Sequence, residues 1–182
     1  MSCNLTKGRK EPCKDNVAGI KAVYFMDYGD ITIGYDGVDT DVVDDLGTVT
    51  AYKYEIKGNS SFEQTITSSR ENGTTFFDQT LNLTLKKLTV QDHKELKLMS
   101  YGRPHVVVHD YNGNAFLMGA EHGSEVTGGT IVTGAAMGDL SGYTLTLNAQ
   151  EQVPANFLEG ATEANPFAGL TGTVTVTEGT NS

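Results

Sequence analysis

The stretch FEQTITSSRENGTTFFDQTLNLTLK, Phe62 to Lys86, limits the chain more than any other. Two β-type runs, Phe62–Ser69 and Thr74–Lys86, are separated only by Arg70-Glu71-Asn72-Gly73. Asn-Gly between two such runs is the strongest short-range hairpin signal. Period-two alternation puts Leu81, Leu83 and Leu85 on one face of the second run, and Thr80, Asn82, Thr84 and Lys86 on the other. The hairpin is long and polar on one side. Its Thr- and Gln-rich half can face water or pair edge-on with a second copy. The candidate assembly residues are therefore Phe62, Thr65, Thr67, Arg70, Asn72, Gly73, Thr75, Phe77 and Gln79.

Short strands also fill the rest of the chain. Ile20 to Asp27 alternates, Ile31–Tyr35 is a brief run, and Thr48–Ile56 alternates well. After Pro104, strand-like runs recur at Val106–Val108, Ala115–Glu121, Glu125–Gly134, Gly142–Gln150 and Thr171–Thr177. Asp36–Gly47 reads as an acidic loop with a Val42–Val43 pair, and Pro154–Gly169 as a second loop. The one convincing helix covers about 89–101. Thr89 is its cap, Asp92 lies in its first turn and Gly102 ends it. About ten strands and one helix predict a mainly β fold, an antiparallel β-sandwich or barrel with one flanking helix. Residues 17–182 form one β domain. Residues 1–16 are polar and nearly free of apolar side chains, so they form an arm that a neighbour could order.

Charge is laid out unevenly. The net charge is −10 at pH 7, and no Lys or Arg follows Arg103. Asp27, Asp30, Asp36, Asp39, Asp41, Asp44 and Asp45 form an acidic block that no base interrupts. The last five of these are a candidate acidic surface. Only the beginning of the chain is locally basic, with Lys7, Arg9, Lys10, Lys14 and Lys21, of which the first four are candidate arm contacts between subunits. Gripping nucleic acid requires clustered cations that neutralise phosphates, and this layout argues against it.

Candidate chemistry is sparse. Cys3 and Cys13 have no histidine near them in sequence, which does not make a zinc site. MSCNLTKGRK lacks the apolar stretch of a signal peptide, and no run is long enough for a membrane helix, so free thiols in a reducing cytosol are expected. His105 and His109 share a strand face and read as partly exposed flanks of a buried Val run. The aspartates between Asp36 and Asp45 do not fit the spacing of a calcium loop. There is no G-x-S-x-G elbow, and Glu151 and Glu159 stand without an evident partner. The expectation is a chain without catalytic residues, cofactor or metal.

The segment Tyr54–Pro154 resembles the major tail (tail tube) proteins of tailed bacteriophages. The long hairpin, the helix after it, and the stretch MGAEHGSEVTGGTIVTGAAMGDLSGYTLTLNAQEQVPA carry the likeness, and its wording is similar to proteins from phages of Bacteroidetes hosts. The resemblance implies a tube fold, hexameric rings stacked into a hollow tube, and strands of each subunit joined in one inner barrel. It implies an acidic lumen through which phage DNA passes without specific binding. The partners would be further copies of the chain and other tail proteins, with no membrane, and the place would be the virion tail after synthesis in the host cytoplasm. Other readings remain open: a different virion ring, terminator, connector or decoration protein, an injection-system tube protein, or a Ca²⁺- or glycan-binding β-sandwich.

Overall fold

The computed structural model describes Leu5 and residues 7–179. Cys3 lies outside the described residues. In chain order the elements are β1 (Ile20–Met26), β2 (Gly34–Tyr35), β3 (Val42–Asp45), β4 (Thr48–Glu55), β5 (Ser61–Ser69), β6 (Thr74–Lys86), α1 (Val90–Tyr101), β7 (His105–Asp110), β8 (Ala115–Met118), β9 (Glu125–Val132), β10 (Gly142–Glu151), β11 (Asn156–Leu158) and β12 (Thr173–Glu178). The strands form two open sheets. One has eight strands in the order β12-β4-β1-β7-β8-β11-β3-β2, and the other four in the order β5-β6-β10-β9. The sandwich expectation holds. Neither sheet closes on itself, so the barrel alternative does not.

Strands β1 and β7 are antiparallel neighbours at the centre of the larger sheet, with Val23 opposite Val108 and Met26 opposite His105. Both are buried along almost their whole length. The cause is a core on each face of this sheet. On one face Val23, Phe25, Val106, Val108 and Met118 meet Leu81, Leu83, Leu147 and Ala149 of the smaller sheet. On the other, Tyr24, Met26, Val107 and Leu117 pack with Val43, Leu46, Leu158 and Phe167. A strand dry on both faces reads as a continuous apolar run instead of an alternating one, as VYFM and VVV do here.

The hairpin β5–β6 pairs Ser61 with Asn82 through to Ser69 with Thr74. Its four-residue turn ends on Gly73, whose φ of +64° suits a residue without a Cβ. Strand β10 lies on the other side of β6, from Gly142 opposite Lys86 to Glu151 opposite Phe77. The inward row of the smaller sheet is Leu81, Leu83, Tyr143 and Leu147, all buried. Gly142 sits where a Cβ would strike the Leu85 carbonyl, so close strand approach requires glycine there.

Helix α1 begins where expected. The Thr89 hydroxyl accepts from the Asp92 amide at 3.0 Å, and the Gly102 amide bonds back to the Leu98 and Met99 carbonyls. Only Leu96 is buried within it, and Met99 packs against the inter-sheet core. Its face is therefore held by a narrow contact.

Four features differ from the expectation. The acidic loop contains β3, because Val43 is fully buried and Val42–Val43 pairs in parallel with Phe157–Leu158. The loop from Pro154 contains β11 for the same reason. The last strand joins β4 in parallel, Thr173 opposite Thr48 through Glu178 opposite Lys53, so the larger sheet is mixed rather than purely antiparallel. The brief run at Ile31–Tyr35 shrinks to Gly34–Tyr35, while Ile31 and Ile33 serve as packing residues.

Leu147 is fully buried at the centre of the inter-sheet core, whereas Thr146 beside it points outward. Leu147→Ala should lower the unfolding free energy by about 2–5 kcal/mol, read as a drop in urea midpoint. Thr146→Ala should stay within about 1 kcal/mol.

Candidate assembly surface

The four-stranded sheet ends on β5 at one side and β9 at the other, and among the described residues neither edge strand has a second strand outside it. Both are eight or nine residues long and mostly exposed. Natural edges are usually guarded by Lys, Pro, bulges or shortness. Strands β5 and β9 carry no Lys and no Pro, and one acid each, Glu63 and Glu125, but β9 shifts register at Thr127, between the pairs Gly128–Thr146 and Val126–Leu147. Each also exposes one large aliphatic side chain, Ile66 at 66% and Ile131 at 60%.

The outward face of this sheet is a polar ladder. The Thr146 hydroxyl donates to Asn82 Oδ1 at 2.9 Å, the Asn148 amide donates to Asp78, and the Thr130 and Thr144 hydroxyls lie 2.6 Å apart. Opposed Thr and Asn side chains of this kind stabilise neighbouring strands by a few tenths to about 1 kcal/mol each. The sheet is thus rigid on its wet side while its edges stay open.

The expected hairpin residues divide into two groups. Thr65, Thr67, Arg70, Asn72, Gly73 and Thr75 are exposed, and the Thr75 hydroxyl lies 2.9 Å from that of Ser68. Phe62, Phe77 and Gln79 turn inward. The Phe62 ring lies 6.1 Å from Phe116, Phe77 is half-buried, and Gln79 is buried with its Oε1 accepting the Gly119 amide at 3.0 Å. Gln79 ties the two sheets together and is unavailable to a neighbour. The reason is parity and distance from the turn: 62, 77 and 79 fall on the core side of the register, and Thr75, on the same side, is exposed next to the turn.

Asp36, Asp39, Asp41, Asp44 and Asp45 lie around β2 and β3, at the far edge of the eight-stranded sheet and not on the hairpin sheet. Three of them shape backbone. Asp36 accepts the Val38 amide, Asp39 the Asp41 amide, and Asp45 the Gly47 amide at 2.7 Å. Such local bonds are what aspartates do in turns. Lys7, Arg9, Lys10 and Lys14 are exposed on a segment with neither strand nor helix. The arm is rooted at Val17, whose amide donates to Asn112 Oδ1 at 2.9 Å and whose carbonyl accepts from Asn112 Nδ2 at 2.6 Å.

Polar groups missed by the sequence reading cluster near one end of the sandwich. Glu151 has 2% exposure, and its Oε1 accepts the amides of Glu121 and His122 at 3.0 and 2.9 Å. Its Oε2 lies 2.8 Å from His122 Nδ1. A buried carboxylate needs such donors to offset its lost hydration. Glu121, His122 and Glu151 bring three ligand-type atoms within 4.8 Å of one another, the one set among the described residues that could hold a metal ion. His105 and His109 are buried, not partly exposed, at 3% and 1%. Loop carbonyls take their ring nitrogens: Gly119 O lies 2.6 Å from His105 Nδ1, and Thr162 O lies 2.9 Å from His109 Nε2. Asn156 Oδ1 is buried and has no hydrogen-bond partner among the described residues.

The histidines respond to acid in opposite directions. Burial holds His105 and His109 below the usual imidazole value, against the pull of their carbonyl partners. The hydrogen bond that His122 donates to the Glu151 carboxylate holds His122 above it. The stability due to His105 and His109 is complete above about pH 6.5 and is lost as pH falls through their lowered folded values. The contribution of His122 is complete below about pH 6.5 and is lost as pH rises through its raised value. His122→Ala should therefore steepen the fall in urea midpoint between neutral pH and about pH 5. A proton-NMR titration should place His122 above, and the two buried rings below, the unfolded value.

Compared with family profiles, with curated proteins and with solved structures, the chain finds no match in any of the three.

Proposed function

We propose that this chain is a structural subunit that works by joining copies of itself, and that its place is the tail tube of a tailed bacteriophage. The observation that carries the reading is the hairpin sheet: four paired strands, one dry face, and two long edges without Lys or Pro, of which β5 is regular and β9 is bulged only at Thr127. An isolated subunit leaves two rows of backbone donors and acceptors for any passing strand. A ring in which β5 of one copy meets β9 of the next satisfies both rows and leaves no edge. Six copies would set six such sheets edge to edge around a channel.

In that ring the outward face of the sheet lines the channel. Its side chains are mostly Thr and Asn, with Glu63, Asp78 and Glu125 as acids and Lys86 at one end. Such a lining lacks the dense cations that hold phosphates, so DNA slides past without binding. The partners are then further copies and other tail proteins, and the site of action is the virion. Tail terminators and connector rings share the same edge logic and differ in copy number.

Negative-stain electron microscopy of the concentrated protein should show rings or tubes. Ile66→Lys with Ile131→Lys places one cation on each open edge and should leave the β circular dichroism spectrum unchanged while abolishing assembly. A sample that stays monomeric at every concentration would sink the reading.

A further inference from the structure

A second surface has the chemistry of a cation receptor. Between α1 and the larger sheet lies a cleft of about 290 Å³, lined by Tyr28, Tyr52 and Tyr54 together with Asp27, Glu95 and Arg103. Tyr28 and Tyr52 are exposed, at 45% and 42%. Tyr28 is already taken: the Arg103 guanidinium sits 4.4 Å over its ring, and His105 stacks at 5.1 Å. Tyr54 stands edge-on to Phe25 at 5.1 Å, and Tyr52 is open to solvent. Aromatic faces beside two carboxylates attract a cationic side chain both through the ring quadrupole and through charge. The Tyr54 hydroxyl is pushed up to about 12, first by burial and then by the negative charges of Glu95 and Asp92, which reports the same negative field.

The chain carries a matching cation source. Lys53 is paired with Glu55 and Glu178, Lys21 Nζ donates to the Glu163 carbonyl, and Arg103 lies on Tyr28. Lys7, Arg9, Lys10 and Lys14 are exposed, and among the described residues none pairs with a carboxylate. Source and receptor sit at opposite ends of β1. The arm is rooted at Val17, just before Ile20, while the cleft begins at Phe25 and Met26. Seven strand residues separate the two ends by roughly 20 Å. A copy that gives its arm to one neighbour and receives the arm of another repeats head to tail, whereas two copies that exchange arms close a two-fold pair.

We propose that the basic arm of one copy docks in the Tyr52–Tyr54–Glu95 cleft of the next, and that this contact joins subunits end to end. The proposal rests on the self-assembly reading above and adds to it a second contact that does not use the sheet edges.

Disulfide trapping in the full chain tests it. On a Cys3→Ser background, Leu98→Cys puts a thiol on the helical wall of the cleft, at a side chain that is 56% exposed. The exposed Cys13, beside Lys14, supplies the other thiol. Mild oxidation should give a ladder of linked chains running past the dimer on a non-reducing gel, since each copy has one donor and one receptor. Serine at Lys7, Arg9, Lys10 and Lys14 together, or raised salt, should remove the ladder. Met137→Cys in place of Leu98→Cys should not produce one. Dimers alone would report Cys13 joined to Cys13 or two copies exchanging arms in a closed pair, and a faster-running monomer would report the chain's own arm in its own cleft; any of these results overturns the end-to-end proposal. If rings or tubes form without the ladder, the arm contact falls and the ring reading stands. If the sample is monomeric, both fall.

Discussion

Strands β1 and β7 lie side by side with a packed core on each face of their sheet. Water reaches neither face, so every polar group on these strands needs a partner from within the chain. His105 and His109 are the two groups that test this, and both are satisfied by loop carbonyls instead of side chains. The bonds act in both directions. Each keeps an imidazole tolerable in the interior, and each pins a loop, at Gly119 and at Thr162, that no strand pairing holds. The covering of the larger sheet therefore depends on hydrogen bonds made by its central strand.

The smaller sheet lives under the opposite regime. It is dry on one face only, and its two outer strands have no neighbour beyond them. Cross-strand bonds such as Thr146 to Asn82 stiffen its wet face but do nothing for the edges. Burial of Leu81, Leu83 and Leu147 fixes which residues point inward, since a slip by one residue would send them to water. The same register that buries Gln79 leaves Thr65 and Thr67 exposed. A subunit built this way is secure in its core and unfinished at its sides, which is the physical basis for reading it as one member of a ring.

Much of this was legible in the residues. The hairpin reads cleanly because strict alternation and Asn-Gly are local signals, and local signals survive without knowledge of partners. Helix α1 reads for the same reason, through Thr89, Asp92 and Gly102. Strands β3 and β11 do not, because three or four residues are too few to show a period, and their pairing joins Val42 to Phe157 across most of the chain. The parallel partnership of β12 with β4 is equally non-local. The burial of His105 and His109 was hidden for a different reason: their partners are backbone carbonyls, which every residue has and no sequence pattern marks. Glu151 looks solitary in the sequence because two of its three donors are likewise main-chain amides.

The two proposed contacts differ in kind. An edge-to-edge strand pair draws its strength from backbone hydrogen bonds, which depend little on which side chains are present or on salt. It gives strength but little choice of partner or register. The arm and its cleft reverse this: four exposed cations and two carboxylates give direction and selectivity through a field that salt screens within about 10 Å. A ring closed by the first contact would persist in salt that loosens a stack held by the second. Such a division lets subunits commit to rings before rings commit to length, because the weaker contact remains reversible while the stronger one closes. Four of the thirteen basic residues lie on the arm and the acidic excess stays on the body, while the edge strands of the hairpin sheet carry only Glu63 and Glu125.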